Sequence, residues 1–309
     1  MTDLNDGADS KLLLDAIPPG QEGLLRLGVA GGGDLRWAVV DLTTPVEAAR
    51  QRLDMAPLPA VALGRAMAAA VLLLRFSTKQ PGRLRFEVMG RGPLGRVTAE
   101  ADDEGFLRGM VDELRFPGFE DDPLAVGRAV GSGLLRVTQD FAGRPEPWIS
   151  QTALVDGEIG NDLVHFLHQS QQVRSAALLG VTVKPSGVVA AGGLLVEALP
   201  GAREESVEAL EGNIAGLPGV GELIIEGGER ALGAAVLAGL EVEELEQHTI
   251  RYACRCRRDT LLDRLRTLPE ADLREAADPQ GRAILQCGYC HRQFVFSLDE
   301  LMPPPPPTF

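Results

Sequence analysis

Lysine is almost missing from this 309-residue chain. Three occur, Lys11, Lys79 and Lys184, and none stands in a G-x-x-x-x-G-K-S/T context, so no Walker-type phosphate loop is present and ATP is not implied. No G-x-S-x-G elbow occurs, and Ser132 between Gly131 and Gly133 reads as a turn residue rather than a nucleophile. Long hydrophobic runs are also lacking. The longest, Ala66 to Leu74, is bounded by Arg65 and Arg75, and nine residues fall short of the roughly 20 that a membrane-crossing helix needs. The first residues, Met1-Thr2-Asp3-Leu4-Asn5-Asp6, are acidic and have no apolar h-region, so the expected compartment is the cytoplasm, where disulfides are transient. Basic charge is in deficit. Forty-four acids against 30 bases give −14, which a phosphate backbone would repel, so neither nucleic acid nor a membrane is an expected partner.

The chain has 45% hydrophobic and 24% charged residues, within the globular range, and its length exceeds what one compact core usually holds. Two or three folding units are expected. Charge divides it unevenly: residues 1 to 196 hold 24 acids and 19 bases, residues 197 to 250 hold 12 and 2, and residues 251 to 309 hold 8 and 9. The middle segment has no aromatic residue and so few large side chains with which to anchor itself. It reads as a weakly held acidic linker, in which Leu223, Ile224, Ile225, Val236, Leu237 and Leu240 can cover an apolar face while Glu241, Glu243, Glu244 and Glu246 keep it soluble when released.

Periodicity predicts strands over Leu35 to Leu42, Arg83 to Met89, Arg96 to Ala101, Gly133 to Gln139 and Gly187 to Ala191. It predicts helices after Thr44-Pro45, over Ala60 to Leu74, Gly160 to Gln172 and Val207 to Ala215. The turn Gly90-Arg91-Gly92-Pro93-Leu94-Gly95 makes the second and third strands an antiparallel meander. The class is α+β: an N-terminal mixed sheet-and-helix domain over 1–195, an acidic helical linker over 196–249, a small C-terminal domain over 250–302 and a proline-rich tail over 303–309. Pro303 to Pro307 is the only low-complexity segment.

All four cysteines, Cys254, Cys256, Cys287 and Cys290, fall within 37 residues of one another. Thiolates are soft ligands, and four at tetrahedral corners make a closed zinc site with no open position for catalysis. The pattern, Cys-x-Cys, thirty residues, Cys-x-x-Cys, departs from the zinc ribbon, whose two C-x-x-C turns stand about 15 to 20 residues apart. The insert reads as helical, with Leu261, Leu265 and Leu268 on one face, Pro269 as the stop and a second short helix over Glu270 to Ala277. Strands at Ala283 to Gln286 and Phe294 to Phe296 flank the C-x-x-C knuckle. Without metal, such a unit of about 50 residues has too small a core, so metal binding and folding should be one event.

Rival chemistries share these residues. The site can be a static structural staple. Against that, a Cys254–Cys256 disulfide would span one residue and be strained, hence easily reduced, and Arg255, Arg257 and Arg258 favour thiolate at that pair. Cys287-Gly288-Tyr289-Cys290-His291 also matches the C-x-x-C-H of covalent haem attachment, with Met302 or a distant His as the second axial ligand, and C-x-x-C alone matches a thioredoxin-like redox motif. Asp162, His165 and His168 form a further candidate metal face on one predicted helix.

The cysteine register, the acidic segment and the domain order together resemble heat shock protein 33, the redox-regulated holdase chaperone family of bacteria. Leu63-Gly64-Arg65-Ala66, Gly90 to Gly95, Ser170-Gln171-Gln172, Ala190 to Leu195 and Leu199-Pro200-Gly201-Ala202 carry the likeness beyond the cysteines. Arg257 stands where the family often has serine, Phe166 or His168 where it has tyrosine, and Gln171 where it has glutamate; none of these removes a cysteine. The resemblance implies an ATP-independent chaperone and not an enzyme. It implies one zinc held by Cys254, Cys256, Cys287 and Cys290 when the protein is reduced and inactive. On oxidation it implies disulfides joining Cys254 to Cys256 and Cys287 to Cys290, zinc release, unfolding of the C-terminal region and binding of unfolded client proteins. It further implies a homodimer when activated, and hand-over of clients to ATP-driven chaperones. Three hypotheses follow: an oxidation-activated chaperone, a static zinc-binding interaction module, and a thiol or haem redox protein.

Overall fold

The computed structural model describes residues 22–77 and 80–302, so the proline-rich stretch Pro303 to Pro307 and the N-terminal residues read above lie outside the described residues. Two compact units divide between Ala253 and Cys254. The larger holds strands β1 (Glu22–Ala30), β2 (Leu35–Asp41), β3 (Gly82–Gly90), β4 (Arg96–Asp102), β5 (Phe106–Val111), β6 (Gly133–Phe141), β7 (Trp148–Ala153), β8 (Ser175–Lys184), β9 (Gly187–Ala198) and β10 (Val242–Tyr252). Its helices are α1 (Thr43–Leu53), α2 (Pro57–Ser77), α3 (Val126–Val130), α4 (Gly160–Gln171), α5 (Glu204–Ala215) and α6 (Val220–Val236). The smaller unit holds α7 (Arg258–Leu265), α8 (Glu270–Glu275), β11 (Arg282–Gln286), β12 (Gln293–Ser297) and α9 (Leu298–Leu301). The α+β class is as the sequence predicts.

The ten strands form one sheet in the order β7-β6-β3-β4-β5-β10-β1-β2-β9-β8. Pairing is antiparallel except where β10 meets β5, a short parallel seam through Arg251 with Phe106 and Tyr252 with Leu107. Helix α2 packs against strands on both sides of that seam, among them β3, β4, β8 and β9. It is apolar all round because it is enclosed, from Leu58 to Leu74 with Arg65 as the chief exception. Here the sequence reading is too short: the helix is 21 residues, long and apolar enough by composition to cross a membrane, but 89% of its apolar window is buried inside the fold. Gly64 lets it approach β8, since a β-carbon there would lie 2.7 Å from a Val181 methyl.

Strands β1, β2 and β9 are buried on both faces. Leu25, Ala38, Val40, Ala191 and Leu195 enter the core around α2. The alternate residues Leu35, Trp37, Val39, Leu194 and Val196 enter a second core, closed by Val207 and Leu210 of α5 and by Leu223, Ile224, Leu232 and Val236 of α6. The acidic segment therefore covers one face of the sheet, as its apolar residues suggest. Two features differ from the sequence reading. Ile225 is 51% exposed, because three consecutive residues of a helix cannot share one face. The segment is also not purely helical, since it ends in β10, which lies between β5 and β1. That strand is hard to read because Val242 to Gln247 are exposed and their charges follow no alternation; the ladder to β1 is made by backbone groups, which sequence pattern does not report.

Asp162 in α4 is fully buried, and its carboxylate accepts backbone N–H groups from Val155 at 2.6 Å, Ile159 at 2.9 Å, Asp156 at 3.3 Å and Gly157 at 3.4 Å. Ile159 itself sits at φ 71°, a conformation uncommon for a branched side chain. The carboxylate thus holds a strained helix entry rather than a metal. Asp162→Ala is expected to orphan these donors and cost about 3 kcal/mol, read from the denaturant midpoint of the larger unit.

Candidate metal centre

The smaller unit is built on the antiparallel pair β11–β12, in register from Arg282 opposite Ser297 to Gln286 opposite Gln293. Its core is Leu273, Ala283, Phe294, Phe296 and Leu301, with Leu261 and Leu265 of α7 packed against it. Helix α7 ends at Leu265, four residues before the predicted stop at Pro269, so Leu268 leaves the helical face and is 46% exposed. Ser297 caps α9 and accepts from the Glu300 backbone N–H, while the Glu300 carboxylate accepts from the Ser297 N–H.

Cys287 and Cys290 lie in the turn that joins β11 to β12. The Cys287 N–H donates to the Arg292 carbonyl and the His291 N–H to the Cys287 carbonyl, both at 2.9 Å, and His291 closes the turn at φ 54°. His291 is exposed on the knuckle surface. Cys254 and Cys256 lie on the chain between β10 and α7. The four Sγ atoms lie within 4.8 Å of one another, with Cys254 and Cys287 at 3.6 Å and Cys256 and Cys290 at 3.4 Å. A zinc–sulfur bond of about 2.3 Å implies a tetrahedron edge of about 3.8 Å, so these four sulfurs fit one such ion with no position left open. No disulfide joins any two of these four cysteines. The joint use of both pairs, and a C-x-x-C placed in a hairpin turn rather than opening a helix, match neither the haem nor the thioredoxin-like reading.

The sulfurs titrate as one set. Hydrogen bonds from Cys254 and then Cys256 hold the Cys290 thiol down at about 6 and lower Cys287 as well. Cys256 is pushed up by its hydrogen bonds with Cys254, Cys287 and Cys290. Cys254 also rises, because its bonds to Cys287 and Cys290, together with burial, outweigh the opposite effect of Cys256. The four sulfurs thus share their protons, and a divalent ion would take the place of those protons. Arg258 is committed to Glu300 at 2.8 Å, to the Val295 carbonyl at 3.0 Å and to the Phe296 ring at 4.6 Å, so it braces the core instead of facing the thiols.

Among the described residues, these cysteines are the one group of three or more His, Cys, Asp or Glu side chains whose ligand atoms converge. Asp162 is buried under its backbone donors, while His165 is half-buried and His168 exposed. The sequence signal for the centre was spacing alone.

A tetracysteine cluster in a hairpin-based unit, carried on a chain with a ten-stranded α+β unit, defines a two-unit protein whose four sulfurs are placed to hold one metal ion. The family model described as Hsp33 protein matches residues 24–297. The chain is 40% identical over 292 residues to the 33 kDa chaperonin of Thermus thermophilus, covering 90% of this chain and 85% of that one. It is 37% identical to the 33 kDa chaperonin of Desulforamulus reducens, covering 91% and 96%. The crystal structure of the 33 kDa chaperonin from Thermotoga maritima superposes with a TM-score of 0.82 at 32% identity, covering 90% of this chain and 96% of that one. The chain belongs to the Hsp33 family.

Proposed function

We propose that this protein is a redox-regulated, ATP-independent holdase. It is inactive while Cys254, Cys256, Cys287 and Cys290 are reduced and hold one zinc, and active once oxidation joins Cys254 to Cys256 and Cys287 to Cys290. The convergence of the four sulfurs in a unit with five buried core side chains carries the reading. Bound zinc supplies folding free energy of about 10 to 16 kcal/mol, as in small finger peptides. Each disulfide takes two thiolates to one S–S bond, and the two electrons released, with two protons from water, reduce a hydrogen peroxide to two waters. Once the thiolates are consumed, residues 250–302 have no ligand set and unfold.

The linker, residues 196–249, is then released. The last part of β10 is tied to β5 by the Ala253 N–H donating to the Leu107 carbonyl, and Cys254 is the next residue, so loss of structure in the one segment begins at the end of the other. Lifting α5 and α6 uncovers Leu35, Trp37, Val39, Leu194 and Val196, an apolar strand surface suited to unfolded client chains. The protein is a binding protein of the cytoplasm, dimeric when active, that hands clients to ATP-driven chaperones; residues 1–195 form its chaperone core. The test is one sample assayed for zinc content and for suppression of client aggregation, before and after peroxide under mild unfolding stress. Zinc loss with gain of activity supports the reading. Zinc retention with activity unchanged leaves a static zinc module.

A further inference from the structure

A helix break and a strand bulge converge on a single buried cation. Arg26 lies on β1 with its side chain 8% exposed. Its neighbours Leu25 and Leu27 face the core around α2, so Arg26 points to the opposite face, the one that α5 and α6 cover. Its Nε donates to the Glu229 carboxylate at 2.7 Å and its Nη1 to Glu244 at 2.6 Å. The Glu229 side chain is 10% exposed.

Glu229 reaches Arg26 because α6 is interrupted. Gly227 and Gly228 leave helical geometry, at φ −167°, ψ 28° and φ 64°, ψ −152°. In an unbroken helix, at about 100° per residue, Glu229 would stand about 140° around the axis from Ile224 and about 120° from Leu223, off the buried face. After the break it is buried with Leu232, Gly233 and Val236. Glu244 reaches Arg26 by a different device. Leu27 pairs with Glu246 but Gly28 with Glu244, so Leu245 is an extra residue in the ladder. In an unbroken ladder Leu245 would stand opposite Gly28 and Glu244 would face the other side of the sheet. The bulge reverses that parity and puts Glu244 on the face of Arg26.

We propose that Arg26 is the clasp of the acidic segment: one guanidinium holds α6 and β10 to the sheet, and losing it frees both while the cysteines stay reduced. The part played in regulation rests on the reading of residues 196–249 as the releasable linker. A buried ion pair adds little while intact but is costly once one partner leaves, because the other charge stays buried alone. Lifting Glu229 away lets water reach Arg26 and screen its remaining pair with the half-exposed Glu244, so the two elements leave together.

The experiment is hydrogen exchange on the full reduced, zinc-loaded chain. In Arg26→Met, protection over 220–236 and 242–246 is expected to fall at least about 100-fold, with β3 and β6 within about threefold of wild type. Arg26→Met combined with Glu229→Met, which replaces the buried pair by apolar side chains, is expected to recover most of the α6 protection, separating charge from general packing. Wild-type protection in Arg26→Met overturns the clasp. So does equal loss in β3 and β6, or a double variant no better than the single. Should Arg26→Met fail to fold, Glu244→Gln removes only the more exposed arm, with about tenfold loss over 242–246 expected and no loss counting against the clasp. If protection falls as expected but neither the reduced variant nor oxidised wild type suppresses client aggregation, the clasp stands and the holdase reading fails; if only the reduced variant is inactive, the clasp stands and the segment itself supplies binding surface.

Discussion

The reduced, zinc-loaded protein carrying Leu237→Asp and Leu240→Asp is expected to suppress aggregation of a heat-denatured client as well as the oxidised wild type does. Leu237 is 3% exposed and Leu240 is half-buried against the same second core. Removing such leucines loses about 1.5 to 3 kcal/mol each, and an aspartate that re-enters the site unpaired adds several more. Their sum exceeds the ~5.5 kcal/mol that swings a docking equilibrium from 99:1 to 1:99. Light scattering of the client, with thiols kept reduced, reads the result. If the variant stays inactive while oxidised wild type is active, the segment is no mere cover and supplies binding surface itself. If oxidised wild type is inactive too, the holdase reading falls. A cut near residue 196 is a poorer test, because it removes β10 from between β5 and β1 and separates the two antiparallel halves of the sheet along with the cover.

Chelation is expected to unfold residues 254–302 first and the acidic segment next, at least in part, while β3, β4 and β6 keep their protection against hydrogen exchange. The metal's contribution of about 10 to 16 kcal/mol matches or exceeds the whole stability of an ordinary domain, about 5 to 15 kcal/mol. The larger unit draws instead on Phe86, Phe166, Leu63, Leu72 and Leu73, all fully buried. Single substitutions should act the same way. Cys290→Ser, and serine at each of the other three positions, is expected to bring bound zinc well below one per chain by elemental analysis, because three thiolates leave one corner of the tetrahedron to water. Full stoichiometric zinc in all four variants would remove the ligand set from consideration. Uniform loss of protection across both units on chelation would mean one cooperative body and would break the switch argument.

Strands β2, β3, β4 and β6, the first part of β9 and helices α1, α2, α4 and α5 could be read from the chain because their signals are local: alternation, a proline at a helix start, an alanine- and leucine-rich run. Strands β1, β5, β7 and β8 were missed. In β7 only Thr152 is buried, so little alternation exists to be seen, and in β8 nearly every residue is half-buried, so the two faces do not differ.

By itself the sequence determined what depends on short separations. The C-x-C and C-x-x-C spacings marked the four sulfurs as one set, the flanking β-strand patterns made the knuckle, and the charge counts marked residues 197 to 250 as unlike the rest. Only the tertiary structure decided that this acidic segment closes a core and lends a strand to the sheet, and that Asp162 serves a helix entry rather than a metal. Arg26 lies 203 residues from Glu229 and 218 from Glu244. No local pattern links them, because a buried charge is paired by whichever strand or helix the chain folds against it, and that choice is made by the packing of the sheet.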